Sequence, residues 1–179
     1  VQIGGFGAGE SNLIAHGGAQ GILVGTCTRV AAAGNLHIGH RGMAIDTSAT
    51  SFGDGPTAND PGDADSGGNR LQNSPDVVDA VPVGADRFRL DLRVDSAPGH
   101  ATYPLRVDAF RGRGADLLEH LAQRTITQAE AQTVVSIELP LTALADGVVQ
   151  LLATDAAGNT SEVGRYALSP VFADGFESP

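Results

Sequence analysis

Runs of strict two-residue alternation constrain this chain more than any other feature. The residues Arg87-Phe88-Arg89-Leu90-Asp91-Leu92-Arg93-Val94-Asp95 place four apolar side chains on one side and charges on the other. Successive side chains of an extended strand point to opposite faces, so this run predicts a strand with one face buried and one wet. Tyr103, Leu105, Val107 and Ala109 repeat the period, with Arg106 and Asp108 opposite. Val135, Ile137 and Leu139 follow, ending at Pro140, and then Val149, Leu151 and Ala153. Val163, Arg165 and Ala167, or the opposite parity with Tyr166 and Leu168, make a last strand. Residues 77–83 and a segment near Thr125 complete the set. Within 116–132, Leu117, Leu118, Leu121 and Ile126 allow a short helix as readily as a strand.

About seven short strands within residues 76–169 match the size and count of an immunoglobulin-like β-sandwich. The core must be aliphatic, because aromatic residues make up only 4% of the chain and Trp is absent. The stretch Ala153-Thr154-Asp155-Ala156-Ala157-Gly158-Asn159-Thr160-Ser161-Glu162 resembles a turn common to bacterial Ig-like modules. Physically, Asp155 and Asn159 bracket a tight turn in which Gly158 supplies the positive φ. Asn159-Thr160-Ser161 also fits a glycosylation sequon.

The front of the chain has a different composition. Of the 24 glycines, 16 fall within the first 68 residues. There the run from Asn12 to Val24 resembles the run from Asn35 to Asp46: Asn, a short apolar stretch, His, a glycine-containing turn, a second apolar stretch. Short strands separated by glycine corners at a fixed spacing suit a solenoid, whose coils cannot bury their own faces and therefore stack. The pattern Ile3-Gly4-Gly5…Gly9-Glu10-Ser11-Asn12-Leu13-Ile14…Gly21-Ile22-Leu23-Val24, then Gly34-Asn35…Ile45-Asp46, resembles bacterial secreted right-handed parallel β-helix repeat proteins. His16 and His40 stand where the resemblance expects Asn, and His37 where it expects an apolar residue. If a bulge absorbed a one-residue slip, His16 and His40 would stack on one face.

Between Arg41 and Arg70 there is no basic residue, yet Asp46, Asp54, Asp60, Asp63 and Asp65 all fall there. The segment from Gly53 to Pro75 is similar to the junction that follows the last coil of that β-helix family, where it leads into a β-sandwich module. Asp60, Asp63, Asp65 and Asn69 are closely spaced oxygen donors on a turn-rich backbone, the donor type that Ca2+ prefers. The loop is not an EF-hand: counted from Asp63, position 12 is Ser74 rather than Glu. A solvated acidic loop with Asx turns is the competing reading.

Other classes are disfavoured. A net charge of −10, with 21 acidic residues against 11 basic ones, argues against a nucleic-acid partner. No apolar run approaches the roughly 20 residues of a membrane-spanning helix. The single Cys27 forbids an intrachain disulfide and any zinc site of several cysteines. No Ser/His/Asp constellation or P-loop is present. Arg41, Asp46, His16, His37 and His40 are the candidates for lyase-type chemistry, and corner residues of a solenoid are the plainer explanation. The ending Phe172-Ala173-Asp174-Gly175-Phe176-Glu177-Ser178 resembles a short tail of secreted proteins from some Gram-negative bacteria.

The expectation is an all-β chain in four parts. Residues 1–50 form terminal coils of a right-handed parallel β-helix, 51–75 an acidic junction, 76–169 an Ig-like β-sandwich and 170–179 a tail. The resemblance implies a non-catalytic C-terminal part of a secreted or cell-surface protein, extracellular or on the outer surface of a Gram-negative bacterium. Its partners would be upstream coils of the same polypeptide and extracellular carbohydrate or protein. The alternative is the ancillary end of a polysaccharide lyase or hydrolase whose active site lies upstream of Val1.

Overall fold

The computed structural model describes residues 1–50, 52–144 and 148–167, which are nearly all strand, turn and loop. Four three-residue strands come first: β1 (Leu13–Ala15), β2 (Ile22–Val24), β3 (Leu36–Ile38) and β4 (Ile45–Thr47). β1 pairs with β3 and β2 with β4, both parallel. Leu13 lies beside Leu36 and Ile22 beside Ile45, so both pairs keep one offset of 23 residues. The strands are short because glycine corners interrupt them. Gly34 is held at φ +77°, and a Cβ there would run into the backbone of Gly5. Above and below each other at one corner, the Asn12 side-chain amide donates to Asn35 Oδ1 at 3.1 Å. Asn35 in turn donates to the Ile3 carbonyl at 2.8 Å, so the repeated asparagines satisfy backbone and each other.

Seven strands follow: β5 (Asp76–Val83), β6 (Arg87–Arg93), β7 (Leu105–Arg113), β8 (Asp116–Ile126), β9 (Val135–Pro140), β10 (Val148–Thr154) and β11 (Gly164–Ala167). They lie in two sheets. One has the order β5-β6-β9, the other β8-β7-β10-β11, and every pairing among them is antiparallel. Residues 116–126, open to either reading from sequence, form the longest strand, because their nine paired positions along β7 offer more hydrogen bonds than a short helix would. One apolar layer joins the two sheets: Phe88, Leu90 and Leu92 from β6 and Val135, Ile137 and Leu139 from β9 meet Leu105, Val107, Val149 and Leu151. Fully burying each such side chain stabilises the fold by roughly 1.5–3 kcal/mol. Tyr166 packs against this layer, which fixes the parity of the last strand.

On the side of β7 expected to be wet, Arg106 is half-exposed but Asp108 is buried. Asp108, Phe110, Gln150 and Leu152 point away from that layer and are all buried. Phe110 and Leu152 are covered by residues of the first four strands and of the segment 30–32, whereas Asp108 is held by Arg106 and His120 and Gln150 donates to the Gly114 carbonyl. Ile22, Val24, Val30, Ala32, Ala44 and Ile45 form a second apolar cluster with Phe110, Leu117 and Leu152. β3 also pairs with β8 at His37 and Leu117, which makes one six-stranded sheet, β1-β3-β8-β7-β10-β11. Residues 168–179, including Leu168 and the phenylalanine-containing tail, lie outside the described residues.

Candidate functional site

The acidic junction folds into a rigid bracket rather than an open loop. Asn73 Nδ2 donates to the carbonyls of Asp60 (2.8 Å) and Asp95 (2.7 Å), and its Oδ1 accepts from Asp60 N. Gly62 O accepts from Ala97 N and bonds His100 Nδ1. These ties bring Asp60, Asp63 and Asp65 together, with one carboxylate oxygen of each inside a 4.8 Å sphere of mutual distances. Asp63 is buried, its Oδ1 accepting from Asn73 N (2.9 Å) and its Oδ2 from Gln72 Nε2 (2.8 Å). Asp60 Oδ2 accepts from Ala64 N at 3.0 Å. The second oxygens, Asp60 Oδ1 and Asp65 Oδ1, are shielded from solvent and have no hydrogen-bond partner.

The charges in this bracket are costly. Burial pushes the Asp63 carboxyl up to about 6, against the hydrogen bonds from Ser96 and Asn73, and the neighbouring Asp60 and Asp65 add to the rise. Asp65 is also raised, by burial first and by Asp60 second. Among the described residues no salt bridge reaches any of the three. Three converging carboxylate oxygens with no salt bridge among the described residues are a partial donor set for a hard divalent cation. Ca2+ takes about 6–8 oxygens, so the remaining ligands would come from backbone or water.

Asn69 does not join them. It is fully buried, its Oδ1 accepting from Val30 N (2.9 Å) and its Nδ2 donating to the carbonyls of Val30 (2.8 Å) and Thr160 (2.9 Å). No oxygen of its side chain is left for a metal on the junction. The residue instead pins the coil to the last turn of the module.

That turn supplies the partners that sequence reasoning missed. Within it, Asp155 Oδ1 accepts from Asn159 N (2.8 Å) and Gly158 sits at φ +91°, as the expected tight turn requires. Outward from it, Asn159 Oδ1 accepts from Arg29 N (2.8 Å) and Thr160 Oγ1 from Ala32 N (3.0 Å). Glu162 Oε1 accepts from Thr47 N (3.0 Å) and Oε2 from Thr57 N (2.8 Å), and burial raises its carboxyl despite those bonds. Asn159 is buried with both side-chain polar atoms engaged, so the sequon cannot carry a glycan in the folded protein. The only advance signal was the density of Asn, Thr, Ser and Glu in a turn that needs few of them.

The lyase candidates are not assembled. No bulge absorbs the slip between His16 and His40: His16 follows the register against Gly39, and His40 lies over Gly17, whose N–H donates to its Nδ1 at 3.1 Å. Asp46 accepts from Gln20 Nε2 at 2.8 Å, and among the described residues it forms no salt bridge with Arg41. Cys27 is free and exposed. No helix among the described residues is long and apolar enough to cross a membrane. Comparisons with protein-family models, curated proteins and solved structures find no match to this chain.

Proposed function

We propose that this chain is the non-catalytic C-terminal part of a secreted or cell-surface right-handed β-helix protein of a Gram-negative bacterium, in which an Ig-like module caps the coil stack. Its role is structural and adhesive, presenting the module to extracellular carbohydrate or protein. The observation that carries the capping is the shared core, with Phe110, Leu117 and Leu152 of the module inserted among the apolar side chains of the coil strands. Stacked coils need an end that stops further pairing and covers the last apolar rung. Asn69, Asn159, Thr160 and Glu162 satisfy backbone N–H groups of that last rung. At the opposite end, among the described residues β1 pairs only with β3 and β2 only with β4, which leaves one edge of each to receive another coil in the same register.

Hydrogen exchange tests the cap. Phe110→Ala and Leu152→Ala together should strip protection from the amides of β2 and β4 while those of β6 and β9 stay protected. Coil amides that remain protected in the double variant would overturn the reading. Binding of the intact chain to a panel of polysaccharides and matrix proteins tests the adhesive role.

A further inference from the structure

We propose that the joint between coil and module is an acid-sensitive latch with His37 as its trigger, closed while the imidazole is neutral and opened when it takes a proton. His37 is the central residue of β3 and is fully buried. It pairs with Ile14 of β1 on one side and with Leu117 of β8 on the other, so it forms the rung between the coil and its cap. This is the position where a coil pattern calls for an apolar side chain.

Among the described residues neither ring nitrogen of His37 has a hydrogen-bond partner. The ring is packed against Gly21 and His40, and the nearby Ala44 carbonyl already accepts from Ile22 N at 2.9 Å. A Cβ built at Gly21 would lie 2.5 Å from its Nδ1, and the His40 ring stands edge-on with centroids 5.5 Å apart. His40 cannot act as the acceptor: its Nδ1 accepts from Gly17 N, which leaves Nε2 to donate to the Ile14 carbonyl at 3.0 Å. The other charged or titratable groups around the joint are engaged elsewhere. Asp116 of β8 accepts from Gly39 N, Glu119 pairs with Arg111 of β7, and His120 and Arg106 share Asp108. Asp46 of β4 is held by Gln20 through Oδ2. Among the described residues its Oδ1 is buried without a partner, but its charge acts on Glu162, and the only charge acting on His37 is that of His40. Arg113 of β7 has an interaction of its own. His16, beyond the end of β1, packs over Gly39. An imidazolium at position 37 would therefore be a buried charge with neither counter-ion nor acceptor, and such a charge is relieved by opening the structure.

Burial holds the imidazole down at about 4, with His40 lowering it further. A depressed value means that this contribution to stability is complete above about 6.5 and is lost as pH falls toward 4. The carboxyls near the joint have the opposite sign. Asp63, Asp65 and Glu162 are raised, so their protonation in acid favours the folded state. Asp91 and Glu130, which are lowered, bond Arg89 and Ser136 and Arg124 and Thr127 within the module. Among the groups whose titration is displaced by the fold, His37 is thus the one at the joint whose protonation opposes folding.

The test is amide protection of the full chain between pH 7 and pH 3.5, read at Val30, Ala32 and Gly39 for the joint and along β6 and β9 for the module. Joint protection should collapse as pH falls toward 4 while module protection persists, and His37→Leu should move that collapse down by about one pH unit or more. An unchanged collapse in folded His37→Leu overturns the latch. If that variant does not fold, the ring signal of His37 in the native chain decides. Titration near an ordinary histidine value with the joint still protected overturns the proposal, and titration together with joint opening supports it. The inference rests on the capping role, and the two fail differently. Without a cap the joint amides are unprotected already at pH 7, whereas a failed latch leaves them protected down to the global unfolding.

Discussion

Replacing Asn69 by Ala isolates the energetics of the joint from those of the acidic bracket. The substitution removes the acceptor of Val30 N and the donor to the Val30 and Thr160 carbonyls, three buried contacts of 2.8–2.9 Å. An unsatisfied buried donor costs about 1–3 kcal/mol, and the two carbonyls about 1 kcal/mol together because each keeps a second lone pair. Position 69 also has φ 48° and ψ 29°, a left-handed conformation that Asn tolerates and that costs Ala about 1 kcal/mol. The expected loss is about 3–5 kcal/mol, a large share of the roughly 5–15 kcal/mol that holds a domain together. For a chain of this size it lowers Tm by about 10 °C. Thermal and urea unfolding followed by circular dichroism, each in calcium and in EDTA, measure it. The loss should be the same in both, because Asn69 touches none of the three aspartates. A loss under about 1 kcal/mol, or one seen only with calcium present, would refute the assignment of Asn69 to the joint.

Calcium should raise Tm of the native chain and EDTA should reverse the gain, with Asp60→Asn plus Asp63→Asn abolishing the response; an unchanged melt with EDTA sinks the metal site. Without calcium, the raised Asp63 carboxyl contributes stability below about 3.8 that is lost as pH rises through about 6, at most about 3 kcal/mol. Urea midpoints of native chain and Asp63→Asn, compared across that window, should therefore diverge as pH increases. Glu162→Ala leaves Thr47 N and Thr57 N unpaired in a buried setting and should cost about 2–4 kcal/mol by the same unfolding assay. Gly34→Ala forces a Cβ into the Gly5 backbone at a positive φ, and poor recovery of folded protein is expected, scored by soluble yield and dichroism.

The strands were legible wherever one face was apolar and the other charged. Phe88, Leu90, Leu92 and Val94 are all buried as their alternation requires. The same rule misjudged Asp108 on β7, because alternation reports polarity and not what covers it, while Arg106 on the same side is half-exposed as expected. Asp108 is as buried as Val107, its carboxylate held between Arg106 and His120. Within the acidic site, the closeness of Asp60, Asp63 and Asp65 was readable because short spacing on a turn keeps carboxylates near one another. Asn69 was not readable, since its partners Val30 and Thr160 lie 39 and 91 residues away. The His16–His40 stack failed for a local reason: the 23-residue register is held by Asn12 on Asn35, and it places Gly17 under His40. His37 was visible as a departure from the coil pattern, but its isolation became visible only once Leu117 was known to sit beside it.

The polar character of the joint follows from what a coil end presents. The last rung exposes backbone N–H groups, and an apolar cover alone would bury them unpaired at several kcal/mol in all. Here Arg29, Val30, Ala32 and Thr47 each donate to a side-chain oxygen, from Asn159, Asn69, Thr160 and Glu162 respectively. Three of those acceptors come from one short turn, so the length of that turn sets where the module can sit on the coil. Side-chain acceptors end a stack in a way that a strand edge does not. They satisfy the donors without offering a new row of N–H and C=O groups to a further coil. The free edges of β1 and β2 offer such a row. In the capping role proposed above, growth of the stack would be blocked on the side of the module and open on the side of β1. Inserting one glycine between Thr160 and Glu162 should break the spacing of the three acceptors against their donors and expose the last rung. The expected outcome is concentration-dependent association of the intact chain in sedimentation velocity, and a variant that stays monomeric with its coil amides protected would contradict the role given to that turn.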